Sequence, residues 1–234
     1  MIANNTKSLA HLTLLTEALD LDNYQSNIQI DKSGEKKYYI EGIFIQCNVL
    51  NRNNRIYPKD VIRYDVESYI ENYVKQHRAV GELGHPNSPE INLPLISHKF
   101  VSLRENGNDY VGKAEIISAG MGLIAKGLMD AGVKLGVSTR AVGTVTPNKL
   151  GQNVVSKDFH LISAGDIVYE PSAPSAFVEN LMEHSSWIWE NGVLKEESLE
   201  SAKNRVDYLS KTRQLQDSEL SAVLKWVINN NKGY

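Results

Sequence analysis

The chain has 234 residues, with 25 Lys and Arg against 28 Asp and Glu, a formal charge of −3. So mild an acidic balance supplies no positive field for phosphates, which argues against a protein that coats nucleic acid. The single cysteine, Cys47, excludes an internal disulfide framework and a multi-cysteine zinc site. The opening residues lack the basic and apolar regions of a secretory leader, and no stretch approaches the roughly 20 apolar residues that cross a bilayer. The expectation is a soluble, reduced, intracellular protein of one main domain with a small appendage.

Taken in chain order, the first 35 residues read as polar and irregular, broken by one apolar patch, Leu12-Thr13-Leu14-Leu15. A turn at Gly34-Glu35 leads into residues 38–49, whose β-branched and aromatic content predicts a strand. Gly42 within it suggests a bulge or a close backbone approach. The polar loop Asn51-Arg52-Asn53-Asn54-Arg55-Ile56-Tyr57-Pro58 follows. Pro58 suits a helix start because the first turn leaves its amides unpaired anyway. Ile62, Val66, Tyr69, Ile70, Tyr73 and Val74 then recur at three- and four-residue spacing, predicting an amphipathic helix over 59–77.

From residue 80 to 170 the texture is short strands, near 79–84, 95–104, 109–117, 134–146, 153–163 and 166–170, with one helix at about 120–131. That mixture predicts an α+β, mainly β fold: an antiparallel barrel of six to seven strands with flanking helices. After Pro171 and Pro174 the pattern changes to charged helical stretches at 197–212 and 217–230, with an Asn191-Gly192 turn before them. The expected organisation is an irregular segment over 1–37, a barrel domain over 38–183, and a linker with a helical tail over 184–234.

None of the six histidines forms the paired helical spacing of a zinc peptidase, so neither a metal site nor another cofactor is expected. Two segments stand out. In Gly81-Glu82-Leu83-Gly84-His85-Pro86 a histidine sits at a strand end, just before a proline that stops pairing. In Gly136-Val137-Ser138-Thr139-Arg140-Ala141-Val142-Gly143, extended geometry puts Ser138 and Arg140 on one face and Thr139 on the other. A serine beside a same-face guanidinium suits a nucleophile with a group able to stabilise an oxyanion. Serine needs a base, ordinarily histidine, and the base needs an orienting carboxylate. Asp166, interrupting an apolar strand after Gly165, is a candidate. The alternatives on residues alone are a capping histidine, a serine on a polar strand face and a turn aspartate. A small-molecule esterase is disfavoured, since Arg140 stands where a nucleophile elbow has glycine.

These segments, in this order, together with Tyr39-Ile40-Glu41-Gly42-Ile43-Phe44, the 51–58 loop and Pro171-Ser172-Ala173-Pro174, resemble the prohead core proteases of large myoviruses. Those enzymes are in turn distantly similar to herpesvirus assemblin. The resemblance covers roughly residues 38–178. It implies a serine endopeptidase with Ser138 as nucleophile and His85 as general base. Asp166 is then the third member; His160 is the rival if a second histidine serves instead, and Asp158 and Glu82 stand further off. Arg140 either helps hold the oxyanion or pairs with an acidic neighbour. The 51–58 loop is expected to be structural or to form an interface, with arginines able to contact an acidic substrate side chain.

The resemblance further implies cleavage after glutamate two positions beyond Leu or Ile. Matching triplets include Leu15-Thr16-Glu17, Leu181-Met182-Glu183, Ile188-Trp189-Glu190 and Leu194-Lys195-Glu196, so Glu17, Glu183, Glu190 and Glu196 are candidate self-cleavage sites. The implied partners are viral scaffold or core proteins and the major capsid protein, within an assembling prohead in the host cytoplasm. A homo-oligomer is expected, with no requirement for nucleic acid or membrane. The competing reading is a non-catalytic barrel that builds or binds the scaffold of a viral particle.

Overall fold

A computed structural model describes residues 12–18, 24–32, 34–86, 88–169, 186–190 and 193–197. The chain divides into two compact units, the larger spanning Leu14–Ala176. The larger unit is built on strands β1 (Thr13–Ala18), β2 (Tyr24–Ile30), β3 (Lys36–Gln46), β4 (Arg55–Ile56), β5 (Val80–Glu82), β6 (Ile96–Asn106), β7 (Asp109–Ile116), β8 (Gly136–Gly143), β9 (Val145–Pro147), β10 (Asn153–Val155) and β11 (His160–Val168). Helix α1 (Lys59–Tyr69) and helix α2 (Met121–Asp130) complete it.

The main sheet has the order β2-β3-β7-β6-β5, and a second sheet has the order β1-β8-β11. A small third sheet, β4-β10-β9, caps one end. The expected closed barrel is therefore not formed. The physical reason lies at β2: its described side chains are exposed, with Ile28 at 45% and Ile30 at 71%, and among the described residues it pairs with β3 alone. At the opposite edge, β5 comes close to closure through a parallel bridge from Leu83 to Ile167. The two large sheets face one another over a core of Phe44, Phe100, Ile40, Val137 and Ile167, with Phe44 and Phe100 edge to face at 5.3 Å.

Helix α1 begins at Lys59 as the sequence predicts, with Pro58 as its extended N-cap residue, and its Ile62, Val66 and Tyr69 are buried at 0–4% exposure. Burying side chains of this size stabilises by roughly 1.5–3 kcal/mol each. The regular helix ends at Tyr69 and continues as a π-helical turn, Ile70–Val74. Helix α2 matches its predicted span within a residue, and the Tyr38 hydroxyl donates to the Asp130 carboxylate at its end. The bulge suspected near Gly42 is present as a register shift between Ile43 and Ile45.

Three expectations are corrected. Residues 13–18 and 24–30 are strands rather than an irregular segment, because Leu14 and Leu15 are core residues. The strands predicted at 153–163 and 166–170 divide elsewhere: β11 runs unbroken through Gly165, with register shifts on either side of Ser163 that bulge the strand without ending it. In the smaller unit, part of the expected linker is a hairpin of β12 (Ser186–Glu190) and β13 (Val193–Glu197), paired in register. The predicted helices at 197–212 and 217–230 lie outside the described residues but for Glu197.

Candidate active site

The site is assembled where β5, β8 and β11 converge. Gly81 lets β5 approach β11: a Cβ there would stand 2.3 Å from both the Gly165 carbonyl oxygen and His98 Nε2. Gly84 then turns the chain at φ +87°, in the region glycine enters without steric cost. Its amide donates to the Ile167 carbonyl at 2.7 Å. These two contacts deliver His85 to β11, where its Nδ1 lies 3.4 Å from Asp166 Oδ2. That distance is long for a hydrogen bond, a looseness common before substrate binds. The imidazole keeps a partly exposed edge, with its side chain 19% accessible.

Asp166 is fully buried. Its Oδ1 accepts the Glu82 amide at 3.0 Å, and its Oδ2 lies 2.9 Å from Arg140 Nε. Burial pushes the carboxyl pKa up, but the His85 imidazole, the Arg140 charge and the Glu82 amide together outweigh it, and the pKa falls below the ordinary aspartate value. Ser138, buried on β8, is the register partner of Asp166 across the β8–β11 pair. Directly opposed residues share a sheet face, so Ser138, Arg140 and Asp166 line one surface. Thr139 points the other way, its hydroxyl donating to the Phe44 carbonyl at 2.8 Å.

Arg140 is completely buried, with acidic and carbonyl groups around its guanidinium. Nη2 donates to Glu82 Oε1 at 3.0 Å, Nε faces Asp166, and Nη1 donates to the carbonyls of Ser88 and Glu90 at 2.8 and 3.1 Å. Of the two roles expected for it, the structure displays the pairing with acidic neighbours. Glu82 is its second partner, and Glu82 Oε1 also accepts the Asn92 amide at 2.7 Å.

The other sequence candidates stand apart. His160 Nδ1 contacts Asp65 of α1 at 3.0 Å, and it pairs with Val142 at the far end of β8 from Ser138. Asp158 is used locally, accepting from the amide and hydroxyl of Thr144. Glu17 is buried in β1 and its carboxylate is bound by Asn51, Asn53, Arg55 and Tyr57. Glu183 lies outside the described residues, while Glu190 and Glu196 are on β12 and β13. Cys47 is buried just past β3, and burial pushes its thiol up to about 12, so it supplies no thiolate.

One contributor went unseen in the sequence. His98, fully buried on β6, donates from Nε2 to the Gly165 carbonyl at 2.9 Å while its Nδ1 accepts from the Ser97 hydroxyl. It thereby pins the peptide preceding Asp166. Only its place in an alternating strand opposite a glycine could have signalled this. Beside the site lies an apolar groove of about 460 Å³, lined by Leu83, Leu128, Leu135, Ile167 and Tyr169. Among the described residues no group of three or more His, Cys, Asp or Glu could hold a metal ion.

The site thus joins a buried aspartate, a guanidinium and an imidazole, with a strand serine as the aspartate's register partner. The family model described as prohead core protein serine protease matches residues 19–186, and the chain belongs to that family. It is 37% identical over 142 residues to the prohead core protein protease of Enterobacteria phage T4, covering 60% of this chain and 67% of that relative. The fold is similar to the solved structure of the bacteriophage T4 capsid assembly protease, gp21, with a TM-score of 0.63 at 30% identity, over 68% of this chain and 99% of that one. The chain is thus a peptidase of the capsid-maturation class.

Proposed function

We propose that the chain is a serine endopeptidase that matures a phage prohead, with Ser138 as nucleophile, His85 as general base and Asp166 as the orienting carboxylate. The observation that carries this reading is the contact of His85 Nδ1 with Asp166, whose register partner is Ser138. In the reaction His85 Nε2 takes the Ser138 hydroxyl proton as Oγ attacks the scissile carbonyl, and returns it to the departing amine. Asp166 stabilises the imidazolium formed in between. Arg140 and Glu82 act as positioning residues, fixing the Asp166 carboxylate from below.

The substrates in this reading are scaffold or core proteins and capsid proteins, cut after glutamate in Leu/Ile-x-Glu contexts inside the assembling prohead. The apolar groove that begins at Leu83, two residues before His85, suits the aliphatic side chain of such a segment. Self-cleavage at Glu17 would release the N-terminal residues, and at Glu183, Glu190 or Glu196 the C-terminal segment. Labelling with a serine-reactive phosphonate tests the reading. Stoichiometric modification of the parent, lost in Ser138→Ala and strongly slowed in His85→Ala, is expected; equal labelling of parent and Ser138→Ala overturns it.

A further inference from the structure

The strand that carries Asp166 reaches Ser138 by way of a bulge. From Ser163 to Asp166 is three steps along β11, matched by two along β8, from Arg140 to Ser138. Ala164 and Gly165 thus share a single residue opposite them, Thr139. On an unbulged ladder counted from Ser163, Gly165 would oppose Ser138 and Asp166 would oppose Val137, on the face that Thr139 turns toward the core. The extra residue re-aims the aspartate, at the cost of ladder bonds. The bulge admits no side chain at Gly165, where a Cβ would stand 2.0 Å from Val137 Cγ1 and 3.0 Å from Phe44 Cδ1.

Buried side chains hold the polar groups of this bulge. The Thr139 hydroxyl donates to the Phe44 carbonyl at 2.8 Å and reaches the Ala164 carbonyl at 3.3 Å. Phe44 is itself the extra residue of the β3 bulge, between Ile43 and Ile45. One hydroxyl therefore ties together the bulges of two facing sheets. His98 of β6 donates from Nε2 to the Gly165 carbonyl at 2.9 Å, its tautomer fixed by the Ser97 hydroxyl at Nδ1. The Gly165 amide donates to the Ser163 hydroxyl at 3.3 Å. Thr139, His98 and Ser163 are all buried, and a buried backbone group deprived of its partner has no water to turn to.

We infer that Thr139 and His98 are positioning residues: by fixing the Ala164–Gly165 bulge they keep the Asp166 carboxylate turned toward His85, on the face of Ser138. The inference rests on the proposed roles of those three residues, and it assigns the turning of Asp166 to side chains buried behind the strand. The test is kinetics on the full chain with a fluorogenic peptide of Leu-x-Glu pattern, each rate taken on the folded fraction. Thr139→Val keeps the branched shape and removes the hydroxyl. Its kcat should fall at least ~30-fold with KM within ~3-fold of the parent, and Thr139→Ser should recover to within ~5-fold. A threonine that served stability alone would leave the kcat of the folded fraction in place, and its effect would add to any other. In an Asp166→Asn background Thr139→Val should instead cost less than ~3-fold further. Should Thr139→Val not fold, His98→Leu against His98→Gln makes the same comparison at the other hydrogen bond. Leucine should reproduce the ~30-fold loss, and glutamine, which can still donate, should stay within ~5-fold. Parent-level kcat in folded Thr139→Val or His98→Leu, or an undiminished cost in the Asp166→Asn background, overturns the inference and leaves the proposed triad standing. Full activity of Asp166→Asn itself overturns the triad, and the inference with it.

Discussion

Asp166 meets an imidazole, a guanidinium and an amide in the buried site, whereas His160 contacts Asp65 of α1 at the other end of β11. The two candidates for the third member can be separated on that difference. Asp166→Asn should lower kcat/KM by about 10³–10⁴, since an amide there favours the wrong imidazole tautomer, while His160→Gln should stay within about twofold; peptide-hydrolysis kinetics on both variants checks this. His98 makes a further prediction. Burial, partly opposed by the Asp166 charge and the Gly165 carbonyl, depresses its pKa to about 4. The unfolded imidazole protonates near pH 6.5, so the folded state is fully favoured above that pH. Its advantage fades as pH falls toward 4, by on the order of 3 kcal/mol in all. Urea unfolding across that window should show a steep acid limb in the parent and a flatter one in His98→Gln, whose amide can still reach the Gly165 carbonyl.

At the scale of elements, the site depends on how closely β5 can be laid against β11. The gap is set by Gly81, against which the Gly165 carbonyl and the His98 ring, hydrogen-bonded to each other, both stand. Neither obstacle is a flexible chain end, so Gly81→Ala must push the strands apart. The expected result is a destabilisation of about 1–3 kcal/mol for overpacking, and loss of activity beyond what stability explains because His85 moves with β5; thermal melts and kinetics on the folded fraction measure the two parts. Helix α1 contributes at the other end of β11, where Asp65 accepts the Leu161 amide at 2.7 Å as well as contacting His160. That explains why His160 sits in the site's own strand without belonging to the site.

For the whole molecule, the sequence made the central elements legible and the edges obscure. α1, α2 and the strands around Ser138 and His85 carry strong periodicity or glycine punctuation, and they stand close to where they were expected. The described side chains of β2 are exposed, Ile28 and Ile30 among them, so no buried face set it apart from a loop, and barrel closure could not be read from strands taken singly. Arg140 was legible as a residue out of place in a core strand, but its partners come from 82, 88, 90 and 166, and no local pattern joins those. The hairpin bearing Glu190 and Glu196 frames a prediction at this scale. Mass spectrometry of active protein should show new C-termini within 183–196, absent in Ser138→Ala; unchanged ends in both, despite activity on capsid substrates, would discard self-trimming.

The loop following His85 carries one more consequence. Arg140 and Glu82 hold it by the carbonyls of Ser88 and Glu90 and the amide of Asn92, groups that every amino acid other than proline can offer. The side chains of this stretch are thus left out of the charged network beneath them. Changing the exposed Glu90 side chain there would alter the surface beside the site while the carbonyl contacts beneath it stay in place.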